Sequence, residues 1–222
     1  MFKSKSRDVI TPQSEHLKLV GTLAMVWGNE QFDSPLIEKN SMVMGMGLHD
    51  RGYGYLDNSP IGGMSDEEWQ VIAQRGFNME CSDAVADAIV KYHIRRLASY
   101  GKTDIRKALF AEFAQGVEEH LKRYNLSQVQ FDRMDRITDL LDQISFEFCF
   151  DIPASGSVSI FSRNRGEAEV SVHYHVDDGE INVTPWPFSM DEYRGYLVAY
   201  RKEGYPEKLD PVILPYHLKR TE

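Results

Sequence analysis

A histidine followed directly by an aspartate, His49-Asp50, ends an apolar, methionine-rich run in this sequence. At the end of a helix, an imidazole nitrogen and a carboxylate oxygen can bind one ion together. Both ligands suit Mn, Fe or Zn, and oxygen alone suits Mg. The pair predicts a metal site only if further ligands converge on it.

Two further histidines lie on the apolar faces of predicted helices. His16 falls on the apolar side of a helix predicted over residues 15–27, and His93 on that of a helix predicted over residues 78–100. His49 also faces inward, at the end of a helix predicted to begin at Ser34. Burying several imidazoles requires a partner for each ring, and a shared metal ion would supply one. Each ring could instead be a core histidine with ordinary partners.

Three more helices are predicted between residues 65 and 150. A capping-box pattern, Ser65 with Glu68, begins a short helix through residue 73, and longer amphipathic helices follow over residues 103–124 and 127–150. Asp142 lies at the edge of the apolar stripe of the last of these helices.

Beyond residue 153 the sequence alternates between apolar and polar residues. Strands are predicted over residues 157–161, 167–176 and 180–183, joined by turns rich in Asn, Asp and Gly. A helix over residues 189–202 and an edge strand over residues 211–215 are predicted to follow. Residues 1–12 read as an irregular lead-in with a short strand at residues 8–10. The sequence therefore predicts a mainly α protein: a helical core over residues 1–152 with a small C-terminal antiparallel β meander, residues 153–222, packed on it (α+β overall).

Composition narrows the function. With 222 residues, 42% of them hydrophobic and 27% charged, the chain is typical of one main globular domain. The net charge of -9 argues against a broad nucleic-acid surface, which needs clustered Lys and Arg. No apolar run approaches the roughly 20 residues that cross a bilayer, so we expect a cytoplasmic protein without membrane contact. Two cysteines without zinc-site spacing predict neither a disulfide framework nor a zinc site.

The order of the metal-ligating residues resembles the HD-domain superfamily of metal-dependent phosphohydrolases, whose ligands follow the order His, His-Asp, Asp. The surrounding residues resemble more closely a bacterial family of uncharacterised function related to HD domains, over roughly residues 9–150 and, through residues 185–188, the C-terminal tail. The resemblance implies an HD-domain-like helical bundle. The metal ligands that it implies are His16, His49, Asp50 and Asp142. Asp135 and Asp139 on the same helix stay open as alternatives to Asp142.

The activity that this resemblance implies is hydrolysis of a small phosphorylated or nucleotide-like substrate, assisted by one or two ions of Mn, Fe, Zn, Ni or Mg. Asp50 would bind the metal and orient the attacking water. His93 would be a second-metal ligand or a contact to the leaving group. The residues expected to neutralise substrate charge are Arg51, Lys91 and Arg95.

Two other functions stay open at this stage. One is a metal- or ligand-binding protein without turnover, whose β meander serves as a docking or dimer surface. The other is a di-iron oxygenase, which would need further ligands from His93 and from Glu80 or Asp83. Association of the chain with itself is compatible with each of these functions.

Overall fold

The computed structural model describes residues 1–33, 37–54, 60–161 and 169–220. In these residues, helices pack to one side of a sheet whose other face is exposed. A 3₁₀ turn, Arg51–Tyr53, follows the second helix. The six helices are α1 (Gln13–Val26), α2 (Lys39–Gly47), α3 (Asp66–Asn78), α4 (Ala84–Tyr100), α5 (Asp104–Tyr124) and α6 (Gln128–Phe150).

The sheet has seven strands in the order β1-β2-β6-β7-β5-β4-β3. The β5–β7 pair is parallel and every other neighbouring pair is antiparallel. Side chains alternate between the helix-covered face and the exposed face, as the pleat requires. The strands are β1 (Phe2–Lys3), β2 (Val9–Thr11), β3 (Ala154–Phe161), β4 (Glu169–Asp177), β5 (Glu180–Thr184), β6 (Glu192–Arg201) and β7 (Pro211–Lys219).

This sheet shows that the predicted fold class, a mainly α, HD-domain-like bundle with a small antiparallel meander, is wrong. The predicted helix over residues 189–202 is strand β6. Its segment alternates, so that Leu197 and Ala199 are buried while Tyr196 is exposed, and its aromatic and β-branched residues favour a strand. Ser189 and Glu192 form a capping-box pattern, but no helical period follows it.

Strand β7 is another correction, because it lies between β6 and β5 rather than at an edge. A proline inside a sheet usually removes a ladder hydrogen bond. Pro215 is tolerated here because β5 pairs with β7 only at His217 and Leu218, beyond the proline. The short strand predicted near residue 9 is confirmed as β2.

One hydrophobic core runs through helices and strands alike. Strand β2 near the amino terminus pairs with β6 near the carboxyl terminus, with Ile10 opposite Tyr200. The division into segments 1–152 and 153–222 stays a prediction, and the two segments share this core.

The helices that carry the predicted ligands approach each other closely. Gly45 of α2 lies against α4, where a Cβ on this glycine would come within 2.8 Å of Ile89 Cβ and 2.9 Å of the Ala86 carbonyl oxygen. On its other side α2 meets α1, with Gly47 facing Gly21. These glycines let the backbones of α1, α2 and α4 come close, which brings the histidines of the three segments together.

Several helix ends follow from capping. The predicted capping box of Ser65 and Glu68 is confirmed at the start of α3. Helix α4 begins at Ala84, six residues later than predicted, because the Asp83 carboxylate accepts hydrogen bonds from the backbone N–H groups of Val85 and Ala86. The predicted start of α2 at residues 34–35 lies outside the described residues.

Candidate metal centre

Two imidazoles and two carboxylates converge from α1, the end of α2 and α6. His16 Nε2 lies 3.0 Å from His49 Nε2 and 3.2 Å from Asp142 Oδ1. His49 Nε2 lies 3.4 Å from the same Asp142 oxygen. Asp50 Oδ2 lies 3.7 Å from His16 Nε2 and 3.9 Å from His49 Nε2. The structure thus brings together His16, His49, Asp50 and Asp142, the four metal ligands expected from the sequence.

The spacing of these donor atoms suits a metal ion. Ligand atoms about 2.1 Å from one ion lie about 3.0 Å apart when they are octahedral neighbours and about 3.4 Å apart when tetrahedral. The distances given above run from 3.0 to 3.9 Å. Two nitrogens and two oxygens are a donor set for Mn, Fe or Zn. The structure therefore contains His/Asp clusters that could bind a metal ion.

The His49 ring is oriented as a metal ligand would be. Its Nδ1 lies 2.6 Å from the carbonyl oxygen of Met46. A carbonyl oxygen only accepts hydrogen bonds, so Nδ1 carries the proton of the neutral ring and Nε2 directs a lone pair at the cluster. His16 is fully buried beside Phe2, and its Nδ1 has no hydrogen-bond partner among the described residues.

Asp50 connects the cluster to a third histidine. Its Oδ2 accepts a hydrogen bond of 2.5 Å from Gln13 Nε2, and its Oδ1 lies 3.0 Å from His93 Nε2. One carboxylate oxygen therefore points towards His16 and His49, while the other binds His93. Two groups with metal-ligand spacing result among the described residues. One consists of His16, His49 and Asp142, the other of His49, Asp50 and His93, and they share His49.

Arg96 determines which nitrogen of His93 carries the proton. Arg96 Nη2 lies 2.9 Å from His93 Nδ1. An arginine only donates, so Nδ1 accepts and the proton of the neutral ring is on Nε2, which donates to Asp50. The guanidinium is held in turn by Asp139 at 2.6 Å and Asp135 at 3.1 Å. These two aspartates, the alternatives to Asp142 as ligand, bind Arg96 instead.

The electrostatics of the cluster favour a positive charge at its centre. Burial opposes ionisation of Asp142, but hydrogen bonds and charge interactions with the surrounding histidines outweigh it and hold the pKa well below its usual range. The pKa of Asp50 is lowered against the same burial by His49 and His93. Burial, followed by the interaction with His49, lowers the pKa of His93. Two ionised carboxylates around one buried point attract a cation.

A cavity of about 630 Å³ opens over this cluster. Asp50, His93 and Asp142 lie at its base, and Arg96 and Arg106 line it as well. Its walls are mainly aromatic and apolar, formed by Phe2, Tyr53, Trp69, Leu97, Tyr100 and Phe146. A small organic molecule could therefore reach the cluster.

The three cations predicted to bind substrate lie elsewhere. Arg51 and Lys91 both bind the buried carboxylate of Asp87, at 2.6 and 3.6 Å. Arg95 stacks on the ring of Tyr92, 4.2 Å from its centroid. In the described part of the chain, none of the three lines the cavity. Arg51 instead joins the 3₁₀ turn to α4, and Lys91 pairs with Asp87 within α4.

Sequence reasoning did not single out Gln13 or Arg106, and it gave Arg96 no contact with a site histidine. Gln13 and Arg96 each lie three residues from a site histidine on the same helix, so helical spacing could have indicated them. Arg106 comes from α5 and lies 3.4 Å above the ring of Trp69 on α3. No local spacing in the sequence predicts that contact.

Two of the extra ligands considered for a di-iron site, Glu80 and Asp83, are not at the cluster. Asp83 caps α4 and accepts a 2.5 Å hydrogen bond from Ser41. Glu80 is mostly exposed and lies 3.8 Å from Arg123. Only His93 of that set is in contact with the four converging ligands.

Fold and site together define an α+β protein with a buried His/Asp cluster of metal-binding composition at the base of a cavity. Comparison with known families matches residues 2–197, so the chain belongs to the family described as "Protein of unknown function (DUF3891)". No curated protein and no solved structure matches the chain. None of the helices in the described residues combines the length and the apolar character that crossing a bilayer requires.

Proposed function

We propose that this protein is a metal-dependent phosphohydrolase, with a ligand order like that of HD domains, acting on a small phosphorylated substrate. The convergence of His16, His49, Asp50 and Asp142 under an open cavity carries the proposal. Two imidazoles among four ligands favour Mn, Fe, Zn or Ni over Mg. The relation to HD domains is part of the proposal and comes from the sequence alone.

A divalent ion, when bound, would lower the pKa of a water molecule and polarise a phosphoryl oxygen. The protein supplies the orientation. Gln13 and His93 each hold one oxygen of Asp50, so the carboxylate has a fixed direction in which to accept a hydrogen bond from the attacking water. In the overall reaction a P–O bond breaks, the water oxygen joins phosphorus, and a water proton ends on the leaving oxygen.

His93 fits the role of a hydrogen-bond donor at the cavity better than that of a ligand. Its Nδ1 is occupied by Arg96 and its Nε2 proton points at Asp50. Binding a second ion would require His93 to give up the hydrogen bond to Asp50. One ion per chain with His93 as a donor, either to Asp50 or to the leaving group, is the arrangement that we propose.

The second candidate is a protein that binds a metal or a ligand without turnover. It predicts the same metal content but no phosphate release. A di-iron oxygenase is disfavoured because Glu80 and Asp83 lie away from the cluster.

Elemental analysis of protein purified without added metal or chelator tests the site, together with phosphate release from p-nitrophenyl phosphate and a nucleotide panel. We expect about one ion per chain in the wild type, and loss of ion and activity in Asp142→Asn. His173→Gln, which changes an exposed strand histidine, is the matched control.

The outcomes separate the candidates. Metal without phosphate release favours the non-catalytic protein. A metal-free wild type whose thermal stability is unchanged by Mn or Mg would contradict metal binding in both candidates and leave the histidines as core residues.

A further inference from the structure

The cavity above the cluster carries more negative than positive charge. Among the described residues that line it, two guanidinium groups, Arg96 and Arg106, face five carboxylates: Asp50, Asp66, Asp139, Asp142 and Glu147. With all of them ionised, the lining holds three negative charges in excess. With a single divalent ion bound at the cluster, one negative charge remains in excess. Sites that bind polyphosphates normally place several cations around the phosphates.

Both guanidinium groups are already held by carboxylates. Arg96 binds Asp139 and Asp135 besides His93. Arg106 Nε donates to Asp66 Oδ1 at 2.7 Å, and its plane lies on Trp69. Their charge is largely neutralised within the wall, so neither is placed as a clamp for a chain of phosphates.

The remaining wall suits an apolar group. Phe2 and Phe146 form one aromatic pair of the wall, with ring centroids 5.5 Å apart. Trp69 and Tyr53 form another, in which Trp69 Nε1 donates a hydrogen bond of 2.8 Å to the Tyr53 hydroxyl. Leu97 lies one helical turn from His93 and also lines the cavity. Aromatic surface of this kind binds an aromatic or apolar group, and the few polar groups at the base fix its orientation.

We propose that the cavity selects a phosphate ester of low charge, a monoester or diester whose organic group is apolar or aromatic, and discriminates against polyphosphates. This inference rests on the proposed function, because it names the substrate class of the same site. Each further phosphate brings negative charge towards a wall that is already negative, and such repulsion reduces binding.

Two matched pairs of ligands separate the effects of charge and of the apolar group. The monophosphate and triphosphate of one nucleoside share the organic group and differ in the charge, length and anhydride bonds of the phosphate chain. Phenylphosphonate and methylphosphonate, neither of which has a P–O ester bond to cleave, differ only in the organic group. We expect kcat/KM to favour the monophosphate, and calorimetric binding to the metal-loaded protein to favour phenylphosphonate, each by about tenfold or more. The charge preference should shrink in high salt.

Glu147→Gln removes one negative charge from the wall without changing its shape. This glutamate is outside the proposed ligand set, and the variant should narrow the difference between the two nucleotides about two- to fivefold, leaving the phosphonate difference unchanged. Glu118→Gln, on the exposed side of α5, is the control and should change neither the nucleotide difference nor the phosphonate difference.

The proposed function and this inference fail in different ways. Turnover of the triphosphate at least as fast as of the monophosphate, or equal binding of the two phosphonates, would overturn the inference while leaving a phosphohydrolase. Absence of phosphate release from every substrate would overturn the proposed function. In that case, tight binding of phenylphosphonate over methylphosphonate would show that the cavity still selects apolar groups.

Discussion

The fold places three histidines of the helical part of the chain and two histidines of the sheet in different surroundings. His16, His49 and His93 are buried and meet at one point. On the outer face of the sheet, His175 shares a 2.8 Å hydrogen bond with Ser155 across the β3–β4 pair. His217 lies between two glutamates, Glu180 at 3.2 Å and Glu192 at 3.1 Å.

The difference lies in what each imidazole faces. On the sheet, strand neighbours supply an ordinary protein partner for these rings. In the cluster, His16 Nε2 and His49 Nε2 face each other, with the carboxylates of Asp50 and Asp142, 12% and 13% exposed, beside them. Only a proton or a metal ion lets two nitrogens with lone pairs lie so close. Histidine content alone is therefore a poor indicator of a metal site, whereas nitrogens that converge on carboxylates are a good one.

Removing a cluster carboxylate should have the largest effect. In Asp142→Asn we expect metal affinity to fall by more than about 100-fold, because loss of a partner behind a ligand alone costs about 10- to 100-fold. Competition with a chelating indicator measures the affinity. Asp191→Asn, an aspartate that is 86% exposed, should bind metal like the wild type. If the wild type and both variants bound the metal with equal affinity, the cluster aspartate would contribute no more to metal binding than a surface aspartate.

Metal binding should also stabilise the fold, and this stabilisation should depend on the cluster histidines and not on those of the sheet. At a metal concentration about 100 times the dissociation constant, the free energy of unfolding should rise by about 2.7 kcal/mol. His16→Gln should lose this gain and His217→Gln should keep it. Urea unfolding with and without metal provides the measurement, and an equal gain in both variants would contradict the comparison.

The inward direction of the three histidines could be predicted from the sequence because helical periodicity is local, whereas the full ligand set, with Asp142, came from the resemblance. The positions of His16, His49 and His93 relative to nearby apolar residues indicate their inward direction. The distant partners of Arg96 and Arg106 could not be predicted in this way. Arg96 depends on carboxylates of α6, about 40 residues further on, and Arg106 depends on Trp69 of α3.

The sheet was harder to predict for the same physical reason. Strand order depends on pairings between distant segments, such as β2 with β6 and β5 with β7, which no local pattern encodes. In residues 189–202 two local signals competed, a capping-box pattern and an alternation of buried and exposed residues. The alternation determined the structure, because the apolar positions Leu197 and Ala199 are buried in the core.

Arg96 allows a test of how far the cluster extends beyond its ligands. In Arg96→Met, His93 Nδ1 loses its donor, so the Nδ1-protonated form should gain population and the hydrogen bond to Asp50 should weaken. ¹⁵N NMR of the histidine rings reports the tautomer, and metal affinity should fall about 10- to 100-fold. Arg95→Met, which removes a cation stacked on Tyr92 outside the cavity, is the control. An unchanged His93 tautomer in Arg96→Met would contradict the role of Arg96.

Asp151 provides a contrast to the carboxylates of the metal cluster, because its hydrogen-bond partners are protein donors. It ends α6 with φ of 58° and accepts hydrogen bonds from Ser4 Oγ at 2.7 Å and Arg7 Nε at 2.6 Å. Asp151→Asn tolerates the same backbone conformation but loses charge-assisted bonds. We therefore expect a loss of about 1–2 kcal/mol in the free energy of unfolding near neutral pH.

The effect of this substitution should depend on pH and not on metal. Burial opposes ionisation of Asp151, but Arg7, Ser6 and Ser4 outweigh it and lower the pKa of the carboxyl group. A carboxyl group with a lowered pKa in the folded state stabilises the protein above its unfolded pKa, and that stabilisation disappears as pH falls through the folded pKa. The difference between wild type and Asp151→Asn should therefore shrink as pH falls below the unfolded pKa of about 3.9 and be unchanged by a chelator. Urea unfolding across this pH range measures the difference. If the difference in the free energy of unfolding grew in acid or vanished with a chelator, Asp151 would not be a carboxylate held by protein donors alone, in contrast to Asp142.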